Sequence, residues 1–281
     1  MYARLHTSWT ILRICLEERL VYRGDFALGT LMRFLPIVTQ VFMWHAIFAS
    51  LKEAGGGPSA SQAPAIQGYT YSEFVVYYLL TMVARAFSSM PGLASGIARD
   101  IRDGTIKKYL IQPIDMIGFL FLNRMAHKLV YYAVAAGPFA LVFFLCRGYF
   151  NGWPDATTLA AFAASLLMAF LIGFLLESTI GMIGFWFLEV SSLLFVYMLF
   201  TFFCSGHMFP IDLLPQPWRG LVELLPLQYL AYFPSAVFLE KITGADLVRG
   251  LAIQGGWAVS LLWINRTLFN LGLRRYSGYG G

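Results

Sequence analysis

The sequence predicts an all-α polytopic membrane protein with six transmembrane helices. Of its 281 residues, 58% are hydrophobic and 12% are charged, whereas soluble domains carry about 25% charged residues. Apolar stretches of about 20 residues, the length that a spanning helix needs, recur along the chain. Lysine and arginine lie between these stretches rather than in one patch. The net charge of +5 is therefore attributed to membrane orientation and not to nucleic-acid binding.

Residues 1–25 predict an amphipathic helix that lies in the membrane interface. Apolar side chains recur at steps of three or four residues, and charged side chains fill the other faces; the apolar positions are Leu5, Trp9, Leu12, Leu16 and Leu20. This pattern is typical of interfacial helices, and a soluble helix packed on a partner is the alternative. The charges within the stretch argue against a secretory signal peptide.

Six apolar segments long enough to span a bilayer follow. They are residues 26–50, 72–97, 114–146, 157–176, 179–204 and 247–269. The third segment is too long for one straight span, so its beginning is expected to run along the surface past Arg124 and Lys128. Glu177 and Ser178 are expected to form a tight turn between the fourth and fifth spans, where Glu177 would be solvated.

The connections between these spans differ in composition. Residues 52–68 are rich in Gly, Ser, Ala and Pro, which predicts a flexible loop. Residues 98–113 are strongly charged. Residues 205–246 are too apolar for an ordinary loop and contain too many prolines for one span. This last segment is expected to form short re-entrant helices shielded by protein.

The distribution of lysine and arginine predicts the orientation. With the N-terminus inside, the inner segments hold 12 of these residues and the outer segments hold 4. Positive charge is enriched in cytoplasmic segments. Both termini, and residues 98–113, are therefore expected in the cytoplasm.

The motifs of nucleotide binding and hydrolysis are missing. The chain contains no Gly-x-x-x-x-Gly-Lys-Ser/Thr loop, no HExxH motif and no local Ser/His/Asp signature. The histidines are scattered, and the cysteines lack metal-ligand spacing. Neither a catalytic residue nor a metal site is predicted. Cys146 and Cys204 fall near the same membrane face, so free thiols and a disulfide both stay open.

Two motifs lie in predicted connections. Residues 103–114, DGTIKKYLIQPI, follow the second span, and residues 205–226, SGHMFPIDLLPQPWRGLVELLP, follow the fifth. The first resembles the Gly-Thr-Leu/Ile…Leu…Pro-Ile pattern of ABC-2 type transporter permeases, and the second resembles the Ser-Gly…Phe-Pro…Leu-Pro-x-Trp…Leu-Pro pattern of the same family. Span number and order are similar too. The chain departs from many members where Lys107 and Lys108 replace a glutamate after the Gly-Thr-Ile triplet.

This resemblance implies one ABC-2 type transmembrane domain over residues 1–281, the permease subunit of an ABC exporter in a bacterial inner membrane. Separate ATPase subunits would bind ATP and Mg, with no cofactor on this chain, and a second permease, identical or paralogous, would complete the path through the membrane lipid. The residues expected to couple to the ATPase are Gly104, Thr105, Ile106, Lys107, Lys108, Tyr109, Leu110 and Pro113. The residues expected to form the outer re-entrant motif are Ser205, Gly206, Phe209, Pro210, Leu214, Pro215, Trp218 and Pro226.

The residue types in the first motif support a coupling role independently. Ile106, Tyr109 and Leu110 would share one face of a short helix, with Lys107 and Lys108 elsewhere. Such an element can seat an apolar knob in a groove of a partner. The alternative is a solvated basic loop.

Two charged residues are predicted within spans. Arg85 and Glu189 would each lie roughly 15–18 Å deep in the membrane, where charge is costly and faces protein or a water-filled path. They would either pair with each other or line the substrate path; a pairing that only fixes helix packing is the alternative.

The substrate implied is amphiphilic: a drug-like or cationic organic compound, a lipid, or a lipid-linked glycan. Two other functions stay open from the sequence. One is a membrane-embedded enzyme that modifies lipids, which would require a polar cluster at one membrane face. The other is a membrane anchor that binds an ATPase without transporting anything.

Overall fold

A computed structural model describes residues 7, 9–14, 16–17, 32, 34–54, 65–112, 114–187 and 189–276. In these residues the chain forms two units, Met1–Thr39 with Thr105–Gly148, and Gln40–Gly104 with Tyr149–Gly281. Residues 9–14 are helical, and an interfacial helix over residues 1–25 stays a prediction. Pro113 and the middle of the flexible loop lie outside the described residues.

Helices dominate the described chain. They are α1 (Leu35–Ala54), α2 (Tyr71–Ser88), α3 (Leu93–Arg102), α4 (Lys107–Leu110), α5 (Met116–Leu145), α6 (Ala156–Met182), α7 (Ser191–Cys204), α8 (Trp218–Glu223), α9 (Tyr232–Phe238) and α10 (Gly244–Arg275). Short 3-10 helices occupy Arg147–Tyr149, Ile183–Phe185, Ile211–Leu213 and Pro226–Leu230. Strands β1 (Ala65–Ile66) and β2 (Tyr69–Thr70) form an antiparallel hairpin before α2.

Four helical segments among the described residues are long and apolar enough to cross a membrane. They are Tyr71–Arg102, Met116–Leu145, Ala156–Phe185 and Gly244–Arg275. They lie at the second, third, fourth and sixth predicted spans. Helix α1 lies at the first, and the 14-residue helix α7 lies at the fifth. The all-α, multi-span class agrees with the structure, and the count of six stays a prediction.

The second predicted span consists of two helices rather than one. Helix α2 ends at Ser88 and α3 begins at Leu93. Proline lacks an N–H and disfavours a helical conformation in the residue before it, so Pro91 interrupts the helix. Gly92 then adopts a φ of +75°, a conformation that glycine accepts without strain.

The predicted turn at Glu177 and Ser178 is wrong, because α6 continues through both residues to Met182. Their polar groups are satisfied inside the fold. The Glu177 carboxylate accepts a hydrogen bond from the Met90 N–H at 3.2 Å, and the Ser178 hydroxyl donates to the Leu175 carbonyl at 3.1 Å. Glu177 is therefore a half-buried acceptor at the α2–α3 break, and the chain turns later, before α7.

The third predicted segment is one unbroken helix, and a position of its beginning along the membrane surface stays a prediction. Helix α5 is continuous over 30 residues and carries Arg124 and Lys128 within it. Lys128 is 6% exposed. The Asp115 carboxylate caps the helix by accepting from the Gly118 N–H at 2.8 Å. In the same unit, the ring of Phe34 packs edge-on against Phe139 at 5.2 Å.

Helix α6 is the centre of the second unit, where it packs against α2, α3, α9 and α10. Glycines let the backbones approach closely. A Cβ atom at Gly173 would lie 2.0 Å from the Ser88 carbonyl oxygen, and one at Gly181 would lie 2.8 Å from the Ala94 carbonyl oxygen. Small residues at helix contacts are typical of membrane proteins. The α3 residues buried in this packing are Leu93, Ala94, Ile97, Ala98 and Ile101.

Polar side chains of α10 hold it against α6. The buried Gln254 amide donates to the Ser165 carbonyl at 3.0 Å, and the buried Asn265 amide donates to the Ser178 hydroxyl at 2.7 Å. Hydrogen bonds of this kind between membrane helices contribute about 0.6 kcal/mol on average.

Candidate functional site

The predicted coupling motif begins where α3 ends. Gly104 has a φ of +73° and is buried, and its N–H donates to the Ile101 carbonyl at 3.3 Å. A left-handed residue after a helix is a common way to end it, and glycine is the usual choice. The turn at Gly104 releases the chain from α3 and leads it into α4.

The side chains of the coupling motif divide into exposed and buried sets. Thr105, Lys107 and Lys108 are exposed, whereas Ile106 is fully buried. Tyr109 is half-buried, with its ring 5.5 Å from that of Phe119, and the Lys108 ammonium lies 4.8 Å from the Tyr109 ring centre.

Of the predicted apolar face of Ile106, Tyr109 and Leu110, only Leu110 is therefore exposed to a partner, and the coupling role stays a prediction. The structure instead exposes a neighbouring pair, Leu110 at 43% and Ile111 at 82%. Helical spacing could not find Ile111, because α4 is a single turn that ends at Leu110. We call residues 107–111 the basic–apolar tip.

The sequence predicted Glu189 in the middle of a span, but the structure contradicts this position. Glu189 lies in the turn between Ile183–Phe185 and α7, and it is exposed. Its carboxylate accepts a hydrogen bond from the Ser191 N–H at 2.9 Å and another from the Ser191 hydroxyl. These bonds, with a smaller contribution from Arg102, lower the pKa of Glu189. The residue was misplaced because α6 runs further than predicted.

Glu189 pairs with Arg102 at the end of α3, where the guanidinium lies 3.5 Å from the carboxylate. Arg85, on α2, lies instead beside His207, with its Nη1 donating to Nε2 at 2.6 Å. The predicted pairing of Arg85 with Glu189 is therefore wrong. Arg85 is exposed and stands near the middle of the Tyr71–Arg102 segment.

The predicted outer motif begins with backbone groups fixed by tyrosines. The Tyr232 N–H donates to the buried Ser205 carbonyl at 2.8 Å. The Tyr77 hydroxyl donates to the Gly206 carbonyl, and the Tyr78 hydroxyl donates to the Met208 carbonyl at 2.8 Å. Gly206 has a φ of +77°, and a Cβ atom there would lie 2.4 Å from that of Tyr232. Glycine is therefore required at this position.

A second set of bonds centres on the Asp212 carboxylate. It accepts from the Tyr69 hydroxyl at 2.7 Å and from the Tyr232 hydroxyl at 2.8 Å, and it lies 3.0 Å from the Arg219 guanidinium. Burial raises the pKa of both tyrosines, so their hydroxyls stay protonated donors. Sequence reasoning missed this network because one of its members, Tyr69, lies 143 residues from Asp212 in the chain.

The remaining residues of the outer motif differ in exposure. Pro210 and Pro226 are buried, and Phe209 and Leu214 are half-buried. Pro215 and Trp218 are exposed, Trp218 at 63%. The motif thus has a buried part that fixes the backbone and an exposed part that begins α8.

Cys146 and Cys204 are both unbonded and half-buried.

Comparison with known proteins identifies one family. A family model described as "ABC-2 family transporter protein" matches residues 34–280. This match covers both motifs and all six predicted spans except the beginning of the first. No curated protein matches the chain.

Proposed function

Because the chain belongs to the ABC-2 family of transporter proteins, we propose that it is the permease subunit of an exporter powered by a separate ATPase. Family membership makes the chain a multi-pass membrane protein and a permease of an ABC transporter, a family that generally pairs with ABC ATPase subunits. Export, the inner membrane, cytoplasmic termini and an amphiphilic substrate are part of the proposal. The charge bias supports the cytoplasmic termini, and the resemblance of the two motifs to ABC-2 type permeases supports the remaining points.

The basic–apolar tip is the observation that carries the coupling proposal. It follows α3 in the chain, and α3 packs closely on the backbone of α6 at Gly181 and on that of the 3-10 helix Ile183–Phe185 at Gly184. Lys107 and Lys108 are exposed beside Leu110 and Ile111. A partner that binds the exposed pair would pull on α3, and closely packed helices transmit displacement because they resist deformation.

A second permease copy is proposed beside α7. This helix has no buried residue in the described chain. Its exposed large apolar side chains are Leu193, Phe195, Val196, Met198, Leu199, Phe200, Phe202 and Phe203. Lipid would cover one side of α7 and the second copy the other, and the substrate path would then run next to α7.

Reconstitution tests the proposed function. The chain should co-purify with an ATPase from the same cell, and its presence should change the rate of ATP hydrolysis. Vesicles that contain both should accumulate a fluorescent amphiphile only with ATP. Hydrolysis that depends on the chain without any transport would instead indicate a membrane anchor, and absence of an ATPase partner would contradict the proposal.

Arg85 is proposed to line the substrate path, whereas Glu189 is no longer a candidate because it pairs with Arg102 outside the spans. We expect Arg85→Gln to lower transport at least about tenfold, since a charge held within a span generally serves a path or a partner. Arg85→Lys is the matched control and should keep most of the activity. Transport assays and melting temperatures measure both variants. If Arg85→Gln lowers the melting temperature so far that loss of folded protein accounts for the loss of transport, Arg85 is assigned to packing instead.

A further inference from the structure

A cleft of about 250 Å³ opens in the second unit, between residues 149–154 and the C-terminal end of α9. Aromatic rings and carboxylates line it together. The aromatic lining residues are Tyr149, Phe150, Trp153 and Phe238, and the acidic ones are Glu73 and Glu240. No part of the coupling motif or the outer motif contributes to it.

Three of the rings form a corner. Phe150 and Trp153 lie nearly parallel, with 6.1 Å between centroids and 17° between planes. Phe238 stands almost perpendicular to both, at 6.4 Å and 6.1 Å. Trp153 is 74% exposed, so most of its indole stays accessible although it contacts Phe150 and Phe238. The open face of an indole attracts cations more strongly than other rings do.

The two carboxylates have different partners. Glu73 is 2.6 Å from the Lys241 ammonium, and it also accepts from the Thr70 N–H at 2.7 Å. Glu240 is exposed and makes no ion pair with any residue that the structure describes. The negative charge available to a ligand in the cleft is therefore that of Glu240.

The backbone at Glu240 adds a second observation. Its φ is +55°, in the left-handed region that follows α9, with the Lys241 N–H donating to the Ala236 carbonyl at 2.9 Å. Glycine is the favoured residue at such a helix end, and glutamate there is strained. Residues held in rare backbone conformations cluster at functional sites. Glutamate thus occupies position 240 although the backbone conformation there favours glycine.

We propose that this aromatic cleft binds an alkylated ammonium group, the head of a cationic amphiphile. The rings would contact the methyl groups and attract the charge, and Glu240 would neutralise it. The cleft is smaller than the cavities of about 300–1,000 Å³ that enclose drug-sized ligands, which suits a single head group whose tail extends outside. The inference does not depend on transport, because equilibrium binding needs neither an ATPase nor a second permease.

Calorimetric titration of the purified chain in a non-ionic detergent tests whether the cleft binds an alkylated ammonium group. Choline should bind saturably, and its neutral isostere 3,3-dimethyl-1-butanol should bind at least about tenfold more weakly, because it lacks the charge that the rings and Glu240 attract. Trp153→Leu and Glu240→Gln should each weaken choline binding about tenfold. Glycerophosphocholine distinguishes the two sources of the ligand: equal binding identifies a lipid head group, and weaker binding identifies a free cationic amphiphile.

Glu240→Gly separates function from folding. Glycine relieves the backbone at φ +55°, so the melting temperature should stay equal or rise while choline binding falls like that of Glu240→Gln. Glu223→Gln, which removes an exposed carboxylate on α8, should leave choline binding unchanged. Equal binding of choline and its isostere, no binding of either, or full affinity in Glu240→Gln would overturn the proposal and leave the rings as an aromatic belt at the membrane interface.

Discussion

Replacing Leu110 and Ile111 with aspartate together is expected to abolish ATP-driven transport while membrane insertion stays normal. The two side chains are 43% and 82% exposed, so the folded chain tolerates charge at both positions. In the proposed complex they enter an apolar groove of the ATPase, where an unpaired carboxylate costs several kcal/mol. Each 1.4 kcal/mol weakens binding tenfold. Co-purified ATPase and transport in vesicles measure the result.

A matched double variant controls for charge added to an exposed apolar surface. Leu221 lies in α8 and is 53% exposed, and Leu224 follows this helix and is 71% exposed. Changing both to aspartate should leave the ATPase bound, because these residues lie in the segment proposed to face outward. Tyr109 is left unchanged because it contacts Phe119, so its replacement would alter the stability of the fold as well as coupling. Full transport by the Leu110 and Ile111 variant would show that the tip is a solvated basic loop.

Substituting Gly173 with alanine is expected to destabilise the fold strongly. The added Cβ atom would lie 2.0 Å from the Ser88 carbonyl oxygen, so α2 and α6 must separate. Overpacking of this kind typically costs about 1–3 kcal/mol and occasionally more. Because the obstacle is backbone and not a flexible side chain, the upper end of this range applies. Thermal unfolding in detergent measures the change.

Gly256→Ala is the matched control on α10. A Cβ atom at Gly256 would meet nothing within 4 Å, and alanine is favoured over glycine within a helix by about 0.5–1 kcal/mol. This variant should therefore be as stable as the parent chain or more stable. Equal melting temperatures for the two variants would refute close backbone packing between α2 and α6.

Composition and spacing predict the class of fold because membrane spans are long and chemically distinct from other segments. Where a helix ends depends on distant partners. The prediction failed at Glu177 because its acceptor role depends on the Met90 N–H, which only the break at Pro91 leaves without a helical partner. Because the predicted fourth span ended too early, the fifth span began too early and placed Glu189 in its middle. The single misplaced turn thus moved Glu189 into a predicted span.

In the candidate site, too, local features could be predicted from the sequence and features that depend on distant residues could not. The glycine at position 104 and the two lysines after it were found from the motif, because their roles depend on local backbone and exposure. The exposed pair at the tip required knowledge of where a single helical turn ends. The Asp212 network was out of reach, since one of its donors, Tyr69, lies 143 residues away.

The length of α7 has a consequence for the bilayer itself. Fourteen residues rise only about 21 Å at 1.5 Å per residue, whereas the hydrocarbon layer is about 30 Å thick. The backbone after Cys204 is irregular, and its carbonyls accept hydrogen bonds from Tyr77, Tyr78 and Tyr232 in place of water. Lipids beside a short apolar helix compress to match it. A bilayer crossed by α7, the predicted fifth span, would therefore be thinned beside this helix, and an amphiphile there would have less hydrocarbon to cross.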